Sequence, residues 1–417
     1  MFRPFQTLIR LSLAGALLWP LQVTAGPLAI TPTAPPELRQ RILAIIAEHP
    51  RLRAARAELE QARAKLRGAG QAVYNPELAL DAERAGADTR TLQLSQTLDL
   101  GDQRGARTAV ARAELRRATA RHTRQWLRLA RDLLETLAED TTRQALARLA
   151  DQRLKLMQDF TDIAERRYRA GDLGQVELEL ARLAYSEALM TQATALAEAA
   201  ATRERLRALF LGRLDRLPAL PESLPTPSLP ESLPDFVRRL PEMVAIEAEV
   251  AAAREAVNLR RAERSWDPTL AVRGGREDRE NLIGATLTLP LKVRNPLRAE
   301  VEAAHQARIA AEQRAQQAFR DLQARLRSVT ARYRLLRTAW SDWQRAGQRS
   351  VTRQLQLIRR LWQAGDMSTA EYLMQLKQAL ETRAAGLELR GRLWQSGFAW
   401  LDETATLDDW LDKKESD

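Results

Sequence analysis

The chain has 417 residues, 45% of them apolar but only 5% aromatic, and a formal charge of +11. Its basic residues are interleaved with acids, as in RAARAELEQARAKLR from Arg53 to Arg67, which argues for solvated helix faces and against a nucleic-acid platform. It contains no cysteine, which excludes disulfides, thiol chemistry and a lipid-modified N-terminal cysteine.

Residues 1–25 read as a signal peptide: Arg3 and Arg10 precede the apolar run LSLAGALLWP, and Val23-Thr24-Ala25 supplies a cleavage site. No other apolar stretch is long enough for a membrane-spanning helix, so any crossing has to be made of strands.

The rest of the chain reads as a tandem duplication. HPRLRAARAELE at His49 is echoed by LPEMVAIEAEVA at Leu240, and VYNPELAL at Val73 by RSWDPTLAV at Arg264. Tyr74 then matches Trp266 and Pro76 matches Pro268, both at an offset of 192. TLDLGDQR at Thr97 falls against LPLKVRNP at Leu289, and RYRAGDLGQVELEL at Arg167 is answered by LWQAGDMSTAEYLM at Leu361. Each half runs helix, two strands, very long helix, corner and returning helix. The reading assigns a first repeat to 26–216, a proline-rich linker to 217–241, a second repeat to 242–403 and a tail to 404–417. Seven prolines between Pro218 and Pro241 predict an extended strap.

Strand pairs are predicted over 76–98 and 268–290. Leu78, Leu80 and Ala82 alternate with Glu77, Asp81 and Glu83, and Ile283, Ala285 and Leu287 alternate with Gly284, Thr286 and Thr288. Such runs suit tilted transmembrane strands or two surface hairpins of a soluble protein. Arg104 to Arg169 and Leu297 to Gln363 lack proline and predict two helices of about 100 Å. Leu146, Leu149, Leu156, Phe160 and Ile163 in the first, and Tyr333, Leu336, Trp340 and Trp343 in the second, form coiled-coil seams. Gly171 and Gly365 mark reversals near each tip, with Asp172 and Ser368 or Thr369 placed to cap the returning helices.

Four strands cannot close a barrel, and open edges are not tolerated in lipid; three copies would supply twelve strands. YNPELAL, TLQLSQTLDLGDQRGARTAVARAEL and the two corners, taken in order, resemble the TolC-like outer-membrane efflux family over about Glu37 to Leu401. AGDMSTAEYLMQLKQALETR at Ala364 is most similar to its heavy-metal cation efflux branch.

The resemblance implies a mainly α fold with a small β part, forming a trimeric α-barrel topped by a 12-stranded β-barrel in the outer membrane. It further implies a passive duct with no enzyme activity and no cofactor. Its partners would be a periplasmic adaptor and an inner-membrane efflux pump. Gly171, Asp172, Gly365 and Asp366 then fall at the periplasmic tip where the adaptor docks. Glu177 and Glu371, matched across the repeat, become candidates for a pore constriction, although an acid in a first helical turn also serves the helix dipole. Tyr74 and Trp266 are candidate membrane-interface anchors or rings packed on neighbouring helices. The hairpin tips, near Gly86-Ala87 and Arg276 to Arg279, leave almost no extracellular loop, and the outer side lacks an aromatic belt.

His49, His122 and His305 are scattered, giving no metal-ligand spacing and little support for catalysis. The competing reading is a periplasmic coiled-coil adaptor or scaffold that forms no pore. An adaptor of the usual efflux kind has one helical hairpin, whereas this chain has two corners and two strand pairs.

Overall fold

The computed structural model describes residues 30–84 and 88–411. The predicted signal peptide and the Gly86-Ala87 hairpin tip lie outside the described residues. Two short helices, α1 (Pro36–Glu48) and α2 (Pro50–Ala69), lead into strands β1 (Glu77–Arg84) and β2 (Asp88–Thr97), then the unbroken helix α3 (Gln103–Arg169) and its return α4 (Gln175–Leu209). After the linker come α5 (Leu233–Arg239), α6 (Pro241–Ala262), β3 (Thr269–Glu277) and β4 (Glu280–Thr288). The second long helix follows as α7 (Arg298–Asp342) and α8 (Gln348–Ala364), then α9 (Thr369–Glu403) and α10 (Leu407–Trp410).

Three expectations are corrected. The second long helix is not continuous: residues Trp343–Gly347 form a π-turn between α7 and α8. A Cβ on Gly347 or on Gly386 of α9 would stand 2.2 or 2.6 Å from the Trp343 indole, so both glycines make room for one large ring. The proline-rich segment is not extended throughout, because Pro234 opens α5, where a missing N–H costs nothing. Residues 404–411 of the expected tail are part of the fold, since Leu407, Trp410 and Leu411 are completely buried.

The helices lie side by side. Toward the sheet α3 packs between α2 and α6, with α7 beyond α6; toward the corners it packs between α4 and α9, with α8 beyond α9. Both arrays therefore begin on a first-repeat helix and end on a second-repeat one. The main core sits at mid-height, where α1, α10 and the linker cover Leu127, Leu133, Leu134, Tyr333, Phe398 and Trp400. The linker is pinned there by its carbonyls: Tyr333 donates its hydroxyl to Pro225 O at 2.6 Å and Trp394 its indole N–H to Pro221 O at 3.0 Å. Proline-rich backbone has few N–H groups to satisfy but keeps every carbonyl, which these donors exploit.

Beside this core lies a buried ion network. The Asp402 carboxylate on α9 is fully enclosed and accepts from Arg124 and, at 3.2 Å, from Arg131, both on α3. Arg124 also reaches Glu242 on α6 at 3.3 Å, and Arg325 on α7 meets Glu242 at 2.6 Å. One network thus ties both repeats. Burial alone would push the Glu242 carboxyl up, but the hydrogen bond and charge of Arg325, with Arg124 and Arg128, hold it below its ordinary value. Its stabilising contribution is therefore present above the unfolded carboxylate range, about pH 4.3, and is lost as pH falls through the depressed folded value.

Removing Asp402 leaves two arginines uncompensated in a dry site. Asp402→Asn is expected to cost about 3–5 kcal/mol, read as a lower urea midpoint by circular dichroism, whereas exposed Asp162→Asn on α3 should change it by less than about 0.5 kcal/mol.

Candidate functional site

The four strands form one antiparallel meander in the order β1-β2-β3-β4, so the two repeats join through β2 and β3. Registration sorts the side chains by face. On one face Leu78, Leu94, Val272 and Ala285 form a cross-strand row, followed by Leu80, Leu92, Gly274 and Ile283. These large side chains are exposed: Leu80 is 78% and Ile283 87% accessible. The opposite face carries Glu77, Asp81, Glu83, Thr91, Gln93, Ser95, Arg273, Glu277 and Glu280. The edges β1 and β4 have no strand beside them among the described residues. One apolar face, one polar face and two open edges describe an element that is incomplete in a single copy.

Below the sheet the repeats are joined by Asp267, which is buried. Its carboxylate accepts from the Tyr74 hydroxyl at 2.8 Å, from Leu100 N at 3.3 Å and from the Gln103 side-chain amide at 2.5 Å. Burial and the bond to Asp267 raise the Tyr74 hydroxyl above its ordinary value, keeping it a donor. Tyr74 therefore cross-links the repeats, while its counterpart Trp266 is 52% exposed. Asp267 itself attracted no notice in the sequence; the Trp-Asp-Pro triplet opposite Tyr-Asn-Pro was the available signal.

The two corners share one geometry. Gly171 has φ 82° and Gly365 φ 85°, in the left-handed region that favours glycine. Asp172 N–H donates to Arg167 O at 2.9 Å and Asp366 N–H to Leu361 O at 3.0 Å, closing the last helical turn in each case. The repeated Ala-Gly-Asp thus encodes a helix stop. No atom would touch an added Cβ at either glycine, so backbone angle alone is the constraint. The returning helices start differently. Ser368 Oγ accepts from Glu371 N at 3.2 Å and caps α9, but Asp172 is not the cap of α4: Gly174 takes that position, and its N–H donates to the Glu177 carboxylate at 3.0 Å. Glu177 is thereby engaged at the helix start. Glu371 stays exposed, and its carboxylate accepts a long 3.4 Å contact from the Gln375 amide.

Just above the second corner, Phe160 of α3 packs at a tilt against Trp362 of α8 and stacks with Tyr372 of α9, with ring centroids 4.9 and 5.4 Å away. This cluster links the two helical hairpins near their tips; periodicity places Phe160 on a seam within one repeat and carries no sign of its partners on α8 and α9.

The histidines lie apart: His49 Nδ1 accepts from Arg51 N at 3.2 Å and His305 stands beside Arg261. Among the described residues no group of three or more His, Cys, Asp or Glu is arranged to hold a metal, and no helix is long and apolar enough to cross a membrane.

Residues 42–212 match the family model for outer membrane efflux proteins. No curated protein matches the chain by sequence. Among solved structures it resembles the Campylobacter jejuni outer membrane channel CmeC, with a TM-score of 0.77 at 14% identity, covering 97% of this chain and 94% of that one. The Vibrio cholerae outer membrane protein VceC matches with a TM-score of 0.72 at 18% identity over 88% of this chain and 96% of that one. The Neisseria gonorrhoeae outer membrane channel MtrE, in its open state, gives 0.75 at 16% identity over 90% of each. The first repeat thus matches the outer membrane efflux protein model over residues 42–212, the second repeat follows the same plan, and the chain shares its fold with these outer membrane channels.

Proposed function

We propose that the protein is the outer-membrane channel of a tripartite efflux system: a passive homotrimeric duct, not an enzyme, fed by an inner-membrane pump through a periplasmic adaptor. The observation that carries this reading is the open-sided meander above open-sided helix arrays. At every level one free edge belongs to the first repeat (β1, α2, α4) and the other to the second (β4, α7, α8). A head-to-tail ring joins unlike edges, and three copies give twelve strands, enough to close a barrel with its apolar face outward. Val176, Leu183 and Met190 along α4 are exposed, as is Leu357 of α8, which supports burial of these edges by neighbouring copies.

The polar face of the sheet would then line the bore. It carries Glu77, Asp81, Glu83, Glu277 and Glu280 against Arg273. This acidic balance favours cations. It agrees with the likeness of the second corner to the heavy-metal branch, and cationic cargo is the class we assign. Glu371, exposed on the first turn of α9, is the acid we assign to the closed tip, where a ring of three carboxylates would form.

Detergent-solubilised protein is expected to run as a trimer in native mass spectrometry and to conduct in planar bilayers. A monodisperse monomer without membrane association would support the scaffold reading instead.

In single-channel recordings Glu371→Gln should weaken cation selectivity and block by divalent cations; unchanged recordings would remove Glu371 from the gate.

The corners are the adaptor-docking surface in this reading. Gly171→Val and Gly365→Val each place a β-branched residue at positive φ, at a cost of about 1–2 kcal/mol confined to the turn. Trimers should persist while crosslinking to the adaptor falls, and undiminished crosslinking in both variants would count against docking there.

A further inference from the structure

At the hairpin end of the sheet the apolar face does not end in aromatic rings. The next cross-strand row on that face is Ala82, Arg90, Arg276 and Asn281, with Arg84 opposite Asp88 one step further out and Arg279 in the two-residue turn beyond. Arg90 and Arg276 are direct cross-strand partners. Like charges so placed repel unless something neutralises them.

The chain supplies too little to do so. The Asp88 carboxylate is shared by Arg84 at 3.7 Å and Arg90 at 3.2 Å. Asp278 accepts from Asp88 N at 2.9 Å, which commits it to holding the turn. Arg276 and Arg279 have no ion-pair partner among the described residues. The remaining acids at this height, Glu83, Glu277 and Glu280, share the opposite face with Thr89. At this height the arginines thus stand beside the apolar band, with the acid Asp88 among them, and the glutamates stand on the bore side. Random surface charge has no reason to follow the pleat this way.

We infer that Arg90, Arg276 and Arg279 form a binding surface for the phosphate groups of lipid headgroups in the outer leaflet, taking the place of an outer aromatic girdle. The inference rests on the reading that the apolar face meets lipid with the hairpin tips outward. Arginine suits the position: its stem lies along acyl chains while its planar fork reaches the headgroup layer and binds phosphate through two N–H groups. The continuity of the row with the exposed leucines selects a membrane lipid as the occupant in preference to a soluble anion.

The test uses the full-length protein in detergent and native mass spectrometry, with diphosphorylated lipid A as probe and the same lipid after phosphatase treatment as control. Wild type should retain the phosphorylated lipid, lose that preference for the dephosphorylated form, and keep its lipid in excess inorganic phosphate. The Arg90→Gln/Arg276→Gln/Arg279→Gln variant should bind at least about tenfold more weakly. Arg273→Gln, on the opposite face of the same strand, should bind like wild type. Equal binding by the triple variant, equal loss in Arg273→Gln, displacement by inorganic phosphate, or indifference to the phosphates would each overturn the inference. If the triple variant does not fold, Arg279→Gln alone, in the exposed turn, is read against the same control. Failure of the wild type to insert into phosphatidylcholine vesicles would instead refute the membrane orientation itself.

Discussion

A fully buried carboxylate, Asp402, held between Arg124 and Arg131, fixes the relation between the two repeats. A charge in that position is costly unless every lone pair is used, and here both partners come from the first repeat while the acid comes from the second. Arg124 passes the constraint on to Glu242, and Arg325 carries it to α7. A shallow apolar contact between four parallel rods would tolerate sliding along their length; a set of interlocked ion pairs at one height does not. The linker and the end helices can then fold over this level as a belt, since the surface they cover is already in register.

Above and below the belt the same problem recurs, namely that a single layer of helices or strands has two sides and two edges. At the sheet the edges β1 and β4 lack partners, and toward the corners α4 and α8 flank the array. The duplication makes this economical. The second repeat meets the first through β2 with β3 and α3 with α9, so unlike edges of two copies can meet in a similar way. In the proposed trimer, the packing of α9 on α3 within one chain would be the template for α4 on a neighbour's α8. Buried Asp267, collecting donors from Tyr74, Gln103 and Leu100 of the first repeat, keeps the strands continuous with the helices beneath.

How much of this was legible in the sequence follows the range of each signal. Strand alternation at Leu78-Leu80 and Ile283-Leu287, proline-free stretches and the Ala-Gly-Asp corners are local, and the elements stand where those patterns put them. The Ser368 cap was legible for the same reason. The Asp172 cap was not, because Glu177 reaches back to Gly174 and shifts the start of α4. The shared face of Glu77, Asp81 and Glu83 followed from the pleat, but the pairing of Arg90 with Arg276 needed the β2-β3 register, which joins residues from different repeats. Asp402, Asp267 and the Phe160, Trp362 and Tyr372 cluster depend on partners far along the chain, where periodicity carries no information. The buried end helix α10 was missed because four residues are too few to show a period.

The remaining asymmetry lies between the two long helices. α3 is unbroken over its 67 residues, whereas the second-repeat helix passes through five residues of π-turn whose wide backbone is propped by Trp343 against Gly347 and Gly386. Kinks in helices concentrate where the regular hydrogen-bond ladder is interrupted, as it is at this level. Below it the aromatic cluster fastens Trp362 and Tyr372 to Phe160 on the continuous helix α3. The interrupted segment above and the ring contacts below set the second-repeat hairpin apart from the continuous α3. The two halves of the duplication thus differ at one level, where Trp343 stands against Gly347 and Gly386.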